Sequence, residues 1–141
     1  GVEVGEGGMN AYFAGAHGVP VILVSGDSTF TAQFLQLLPT RAVATKEAIG
    51  APVARLYHPA VVRRRLRAAT LAALADLPHA RPLRIKEPVT IRMRFASTTR
   101  SDILEAIPGM LRIDGYTVEY HAAKMVEAYK LIRLMYKYIS W

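Results

Sequence analysis

A glutamate set among glycines is the residue of this sequence best placed to do chemistry. Glu6 follows Gly5 and precedes Gly7 and Gly8. A carboxylate in such a turn can satisfy free backbone N–H groups at the start of a helix. It can also bind a cation as a hard oxygen ligand, because glycines let the backbone approach the ion closely. Residue chemistry alone favours the capping role, and Asn10, one helical turn further on the same face, could orient a ligand or a substrate.

Other common site patterns do not occur. The glycines do not predict a phosphate loop, because the third glycine of the dinucleotide pattern falls at Asn10 and Glu6 would repel phosphate. Ser25, Asp27 and a histidine could form a hydrolytic set on paper, but no Gly-x-Ser-x-Gly elbow frames a serine. The absence of cysteine excludes disulfides and thiolate chemistry. No local helical zinc motif occurs, since no two of the histidines lie three or four residues apart: His17, His58, His79 and His121.

Length and composition indicate an ordinary globular protein. The 141 residues suffice for one domain or two very small ones, and 52% hydrophobic with 21% charged residues argues against disorder. The apolar runs fall short of the about 18 residues that a membrane span needs, so we expect no membrane partner. The first residues show no signal-peptide pattern, and we expect a cytoplasmic location.

The net charge of +7 raises the question of an acidic partner such as nucleic acid. The only dense basic run consists of Arg63, Arg64, Arg65 and Arg67. Such a run is more often a solvated helix face than a binding surface, and no nucleic-acid motif accompanies it. We therefore expect no nucleic-acid partner, and a nucleic-acid binder is the last of the alternatives.

Helices and strands are predicted to alternate in the first part of the chain, which contains Glu6. The small residues of Met9–His17 predict a helix that packs closely on a neighbouring element. Asp27 or Ser28 is expected to cap the second helix. The order helix, strand, helix, strand predicts an α/β unit. The elements after the first helix are a strand buried on both faces at Val19–Val24, a tight turn at Ser25–Ser28, a helix ending at Pro39 and a strand at Arg41–Thr45.

The rest of the chain has a different texture, which predicts an α+β portion after residue 88. The secondary structure of Lys46–His58 is ambiguous. A helix is predicted to begin at Pro59, with an apolar stripe that reaches Leu74 and Leu77. The composition of Pro78–Pro88 is that of a linker. We therefore divide the chain into residues 1–88 and 89–141. Residues 89–141 are predicted to hold a strand from Val89, a short helix capped by Thr99 or Ser101, a hairpin around Asp114-Gly115 and a last helix from Ala122 to about Ser140.

Two adjoining segments resemble a known enzyme family. The sequence GEGGMNAYFAG from Gly5 to Gly15, followed by GVPVILVSGD from Gly18 to Asp27, closely resembles the zinc D-aminopeptidase family of the DppA type. Weaker matches follow: KEAIG at 46–50, the helix beginning at Pro59, IPG at 107–109, DGYTV at 114–118 and MVEAY at 125–129. The resemblance covers nearly the whole chain, but it corresponds only to the C-terminal half of the family and implies part of a larger two-part α/β enzyme fold.

The resemblance implies a metallo-aminopeptidase that hydrolyses N-terminal D-amino acids from short peptides with two zinc ions. Glu6 corresponds to the one zinc ligand that the Gly-Glu-x-Gly-x-Asn turn supplies in the family. Asn10 is a candidate to bind substrate or orient a ligand. The other ligands and a catalytic histidine belong to the N-terminal half, so this chain carries no catalytic residue and is expected to be inactive without that half. The interpretation requires an open cavity beside Glu6. A side chain that faces bulk solvent, or one that is buried with no open cavity beside it, would overturn the hydrolase interpretation.

The expected partners are the N-terminal half, short D-amino-acid peptides and further copies of the chain in a homo-oligomer. The apolar last helix, with Tyr136, Tyr138, Ile139 and Trp141, is a candidate for an oligomer interface or for the core. The main alternative is a non-catalytic peptide-binding or oligomer-scaffold domain of the same fold.

Overall fold

The structure is a computed structural model that describes the fold of residues 1–139 and the side chains of residues 1–136. The chain divides into two compact units, of which the first is Gly1–Leu83 and the second begins at Arg84. The division falls inside the predicted linker, a little before the boundary predicted after residue 88. None of the helices in the described part is long and apolar enough to cross a membrane.

The first unit is an α/β unit, as predicted. Strand β1 pairs with β2 in parallel, and β2 pairs with β3 in antiparallel orientation. Helix α2 is the crossover between the parallel strands, which is the usual way to join such strands. The elements are α1 (Glu6–Ala16), β1 (Leu23–Asp27), α2 (Ser28–Leu37), β2 (Arg41–Gly50), β3 (Val53–Leu56) and α3 (Pro59–Ala75), followed by a 3₁₀ turn (Leu77–His79).

Strand β1 begins later than predicted. Val19 is exposed and Pro20 has no N–H to donate, so the sheet starts at Leu23. The predicted turn at Ser25–Ser28 is wrong, because β2 offers pairing partners as far as Lys46, the strand continues to Asp27 and α2 begins at Ser28. A Cβ on Gly26 would lie 2.5 Å from Phe30 Cδ1, so this glycine allows close packing on α2 and does not form a turn.

Asp27 caps α2, in agreement with one of the two predicted candidates. Its Oδ1 accepts a hydrogen bond from Phe30 N at 2.8 Å, and Thr31 Oγ1 donates to Asp27 O at 2.9 Å. The first of these bonds satisfies one of the N–H groups that a helix leaves unpaired at its start. The end of β1 and the start of α2 are thereby held together.

Two further differences concern β2–β3 and α3. The ambiguous segment Lys46–His58 forms the second half of β2 and the whole of β3, and the four residues of β3 are exposed. Leu74 and Leu77 do not join the inward stripe. Leu74 lies next to buried Ala73 and therefore points about 100° away from it, while Leu77 follows the end of α3.

The second unit is an α+β arrangement. Its antiparallel strands have the order β4-β6-β5, and its buried core includes a cluster of Leu104, Met110, Val118 and Met135. The predicted alternation in β4 is confirmed, since Thr90, Arg92 and Arg94 are exposed and the residues between them are not. The elements are β4 (Val89–Arg94), α4 (Thr98–Leu104), β5 (Leu111–Arg112), β6 (Thr117–Ala122) and α5 (Met125–Ile139).

The cap of α4 is a residue that the sequence analysis did not select. Ser97 has extended backbone, and its Oγ accepts a hydrogen bond from Thr99 N at 3.3 Å. The prediction of Thr99 or Ser101 was wrong because the helix begins earlier, which buries Ser101 inside it. In α5, Tyr136 is exposed. The other residues named for an interface, Tyr138, Ile139 and Trp141, lie outside the described side chains.

Candidate functional site

Glu6 is the first residue of α1, and its side chain is exposed. Gly5 is the N-cap and provides no side-chain cap, while Gly5 O accepts a hydrogen bond from Met9 N at 3.1 Å. Within the described residues, the Glu6 carboxylate takes part in no hydrogen bond or ion pair. Its negative charge lies in the first turn, where it interacts favourably with the positive end of the helix dipole. The structure therefore shows a carboxylate with unused oxygen atoms at a helix start.

The glycines beside Glu6 are explained by helix packing. A Cβ on Gly7 would lie 2.4 Å from Phe30 Cε2, and one on Gly8 would lie 2.8 Å from Val4 Cβ. Such distances are shorter than any ordinary contact, so both positions need glycine unless their neighbours move. The close packing predicted from the small residues of α1 is confirmed, and it fixes the orientation of the helix that carries Glu6.

The two candidate site residues share one face of α1. Gly8, Ala11 and Gly15 are buried and lie at the packed face. Glu6 and Asn10 are both exposed, one helical turn apart, as their spacing predicted. The structure thus places both side chains where a ligand or another polypeptide can reach them.

The same face continues with two residues that the sequence analysis did not select. Phe13 and His17 follow Asn10 at helical spacing, and their rings meet edge to face with centroids 4.8 Å apart. The signal that could have identified them is the spacing i, i+4, i+7, i+11 from Glu6. This face therefore carries a carboxylate, an amide and an aromatic pair in one line.

No metal centre is formed by the described residues alone, since they contain no group of three or more His, Asp or Glu side chains that could hold an ion. Two cavities of the first unit do not provide the open cavity expected beside Glu6, since neither is lined by it. A small cavity of about 20 Å³ is lined by Glu3, Val4 and Gly5 but not by Glu6. It is too small for more than about one water molecule.

A polar network on the second unit resembles a hydrolytic set but consists of two ordinary cross-strand pairs and a contact between neighbours on one face of β6. Thr90 Oγ1 lies 2.9 Å from His121 Nδ1, and His121 Nε2 lies 3.3 Å from Glu119 Oε1. Arg92 Nη2 donates to Glu119 Oε2 at 2.6 Å. Thr90 and His121 are directly opposite in the β4–β6 register, as are Arg92 and Glu119, which is sufficient to explain the contacts.

The titratable groups with clear pKa shifts also belong to the second unit. The hydrogen bond from Tyr116 N to Asp114 Oδ1, 2.7 Å long, is the main cause of a lowered pKa of Asp114. The pKa of Tyr120 is raised because its hydroxyl donates to Glu127 Oε1 at 3.0 Å. Hydrogen bonds to Asp102 and then Glu105 raise the pKa of Arg112. These shifts follow from local hydrogen bonds and do not mark a second site.

Comparisons with known proteins identify the family. Residues 1–134 match the peptidase family M55, described as D-aminopeptidase. The chain belongs to this D-aminopeptidase family.

The sequence comparison and the structure comparison each find a relative from Bacillus subtilis. The D-aminopeptidase of strain 168 is 31% identical over 134 residues, which cover 94% of this chain and 49% of that protein. A solved structure, described as the Zn-dependent D-aminopeptidase DppA from Bacillus subtilis, a self-compartmentalizing protease, superposes with a TM-score of 0.88 at 31% identity and covers 95% of this chain and 50% of that one. The chain thus spans about half the length of the relative that it matches.

Proposed function

We propose that this chain is the C-terminal portion of a zinc-dependent D-aminopeptidase that hydrolyses N-terminal D-amino acids from short peptides. Family membership over residues 1–134 and the similarity to a Zn-dependent relative support the activity. The observation that carries the assignment of a site is the Glu6 carboxylate, which lies at the start of α1 and has no hydrogen-bond or ion-pair partner among the described residues. Its exposure in this chain counts against the site unless another polypeptide covers it.

The residues of this chain do not by themselves fit a zinc ion. Zinc in proteins takes about four ligands, three of them from the protein in a catalytic site, and no such group occurs among the described residues. We infer that Glu6 contributes one ligand and that the N-terminal half of the enzyme contributes the others, to give two zinc ions in the complete site. The chain alone is then inactive, and Asn10 binds substrate or orients a ligand.

The exposure of Glu6 sets a condition on this proposal. The side chain of Glu6 is exposed, and neither of the two cavities described in the first unit is lined by it. The N-terminal half must therefore cover the face of α1 that carries Glu6 and Asn10. A complete protein in which Glu6 still faces bulk solvent would contradict the proposal.

Two further properties are proposed from the relative. DppA is described as self-compartmentalizing, and we infer that the complete form of this protein is a homo-oligomer. We also propose a cytoplasmic location, in which a chain without cysteine needs no oxidising environment.

The direct test combines the chain with the N-terminal half of a family member and Zn²⁺. We expect hydrolysis of D-alanyl peptides by the assembled protein, with zinc found by elemental analysis, and no hydrolysis by the chain alone. Glu6→Ala should reduce both zinc content and activity, since removing a ligand or its support costs at least about 10-fold in affinity. Glu3→Ala is the matched control, because Glu3 is also exposed and precedes the helix.

Absence of activity in an assembly that is folded and contains zinc would contradict the proposed reaction. Equal zinc content in the Glu6→Ala and Glu3→Ala assemblies would contradict the role of Glu6.

The alternative is a non-catalytic peptide-binding or oligomer-scaffold domain of the same fold. One observation favours it, namely that helix packing alone explains Gly7 and Gly8 without any ion nearby. This alternative predicts no bound metal in any assembly. Elemental analysis of the protein isolated from its native source distinguishes the two functions.

A further inference from the structure

A larger cavity lies in the first unit, at the amino ends of β1 and β2. Its volume is about 400 Å³, which is within the range of about 300–1,000 Å³ typical of small-molecule sites. Apolar lining residues include Val21, Ile22 and Ala73. Neither Glu6 nor Asn10 lines this cavity, so an inference from it is independent of the proposed peptidase site.

Two arginines give the cavity a positive wall. Arg81 Nη1 donates to Pro78 O and to Ala80 O, each at 3.0 Å, and this holds the side chain in place. Its Nε and Nη2 donate to no residue whose side chain the structure describes. Arg41 Nη2 lies 3.9 Å from Asp76 Oδ2, which is an ion pair without a hydrogen bond. Both guanidinium groups therefore retain donors that match a carboxylate in a bidentate arrangement.

The same cavity also contains negatively charged groups. Asp76 Oδ1 lies 3.1 Å from His79 Nδ1, while Asp76 Oδ2 has no hydrogen bond with any described residue. Leu38 and Asp76, which both line the cavity, are the C-caps of α2 and α3. The carbonyl ends of two helices thus add partial negative charge, which favours a cation such as an ammonium group.

Arg41 and Asp76 lie side by side, so a ligand with a single charge would be attracted by one set of these groups and repelled by the other. A lone carboxylate would meet Asp76 and the two helix ends, and a lone ammonium would meet Arg41 and Arg81. A zwitterion satisfies both walls, with a short apolar side chain on the apolar floor. We propose that this cavity binds a small zwitterion of the free α-amino acid class, with its carboxylate on Arg41 and Arg81 and its ammonium on Asp76.

The test uses three probes of similar size and the chain as it is. The purified protein is titrated with 2-aminobutyrate, butyrate and propylamine, and binding is followed by the amide NMR shifts of Thr40, Arg41, Asp76 and Arg81. We expect saturable shifts with 2-aminobutyrate and an affinity at least about tenfold higher than for either singly charged probe, since a hydrogen bond to a charged group contributes about 1.5 kcal/mol or more. Saturation by butyrate at equal affinity would overturn the zwitterion assignment, and the absence of saturation by all three probes would overturn the site.

Variants then test the two walls separately. Arg41→Gln and Asp76→Asn should each weaken the binding of 2-aminobutyrate by about tenfold. Arg64→Gln is the matched control for charge, because Arg64 is exposed on α3 and does not line the cavity. An equal loss of affinity in Arg41→Gln and Arg64→Gln would overturn the assignment, since it would show a general effect of charge. The comparison of probes on the unaltered chain decides the proposal even if one variant does not fold.

Discussion

The α-carbon of Gly15 faces the backbone carbonyl of Leu83 so closely that no side chain fits between them. An ideal Cβ on Gly15 would lie 1.6 Å from Leu83 O and 2.6 Å from Leu83 C. This contact joins the buried face of α1 to the last residue of the first unit. It therefore fixes the helix that begins with Glu6 from its far end, while Gly7 and Gly8 fix it from the near end.

Gly15→Ala should destabilise the first unit by about 2 kcal/mol or more, the range of overpacking that forces backbone to move. The gain of about 1 kcal/mol in helix propensity is too small to offset this cost. Chemical denaturation measures the change. Gly50→Ala is the control, because no atom lies within 4 Å of its ideal Cβ. Equal stability of the two variants would contradict the close approach.

Asp27→Ala should lower the free energy of unfolding by about 1 kcal/mol, the usual value of an N-cap side chain. The reason is the loss of the 2.8 Å hydrogen bond from Phe30 N to Asp27 Oδ1. Asp27→Ser should restore most of the loss, because serine is also a good cap. Ser25→Ala, at an exposed position of β1, serves as control in the same urea titrations. Failure of serine to restore stability would exclude capping as the role of Asp27.

Leu104→Ala should destabilise the second unit by about 2–5 kcal/mol, because it leaves a cavity in a packed core. Leu104 is 0% exposed, whereas its neighbour Ile103 is 56% exposed. Ile103→Ala should therefore cost much less, within about 0.5 kcal/mol as for most surface changes. The difference between these adjacent positions, measured by thermal unfolding, tests the orientation of α4.

Asp114 gives the second unit a pH-dependent contribution to stability. Its pKa is lowered in the folded state, mainly by the hydrogen bond from Tyr116 N. A carboxyl with a lowered folded pKa stabilises the fold above its unfolded pKa of about 3.9, and this contribution is lost as the pH falls through the folded pKa. The stability of the natural chain should thus fall more steeply below about pH 4 than that of Asp114→Asn.

Urea unfolding between neutral pH and pH 2 measures this difference. Asp76→Asn is unsuitable as its control, since Asp76 has contacts with Arg41 and His79. Glu3→Gln, at an exposed residue of the first unit, is suitable. Parallel pH profiles for the natural chain and Asp114→Asn would contradict the lowered pKa.

Local patterns predicted the order of the elements better than their ends. The alternation in β4 and the cap at Asp27 depend on neighbours in sequence, and both agree with the structure. The limits of β1 depend on β2, whose residues up to Lys46 extend the ladder through a segment that reads as a turn. Ser97 was missed for a related reason, because the start of α4 could not be located from composition alone.

The candidate site, too, could be predicted only as far as the local spacing of its residues. The spacing of Glu6 and Asn10 predicted a shared face of one helix, and the structure places both there, exposed. Their proposed chemistry requires atoms from outside the chain, which spans about half of its relative. No pattern within residues 1–136 could reveal those atoms. The aromatic pair on the same face was missed because the helical spacing from Glu6 was followed only as far as Asn10.

The core of the second unit has one further consequence, for the response to oxidants. Three of its buried side chains are thioethers, Met110, Met125 and Met135, which are 7%, 4% and 1% exposed. They are shielded while the unit is folded, but a transient opening would let peroxide convert them to sulfoxides, whose polar oxygen is poorly accommodated in an apolar interior. Since the chain has no thiol to react first, each opening in the presence of peroxide would tend to become irreversible until a reductase restores the sulfur.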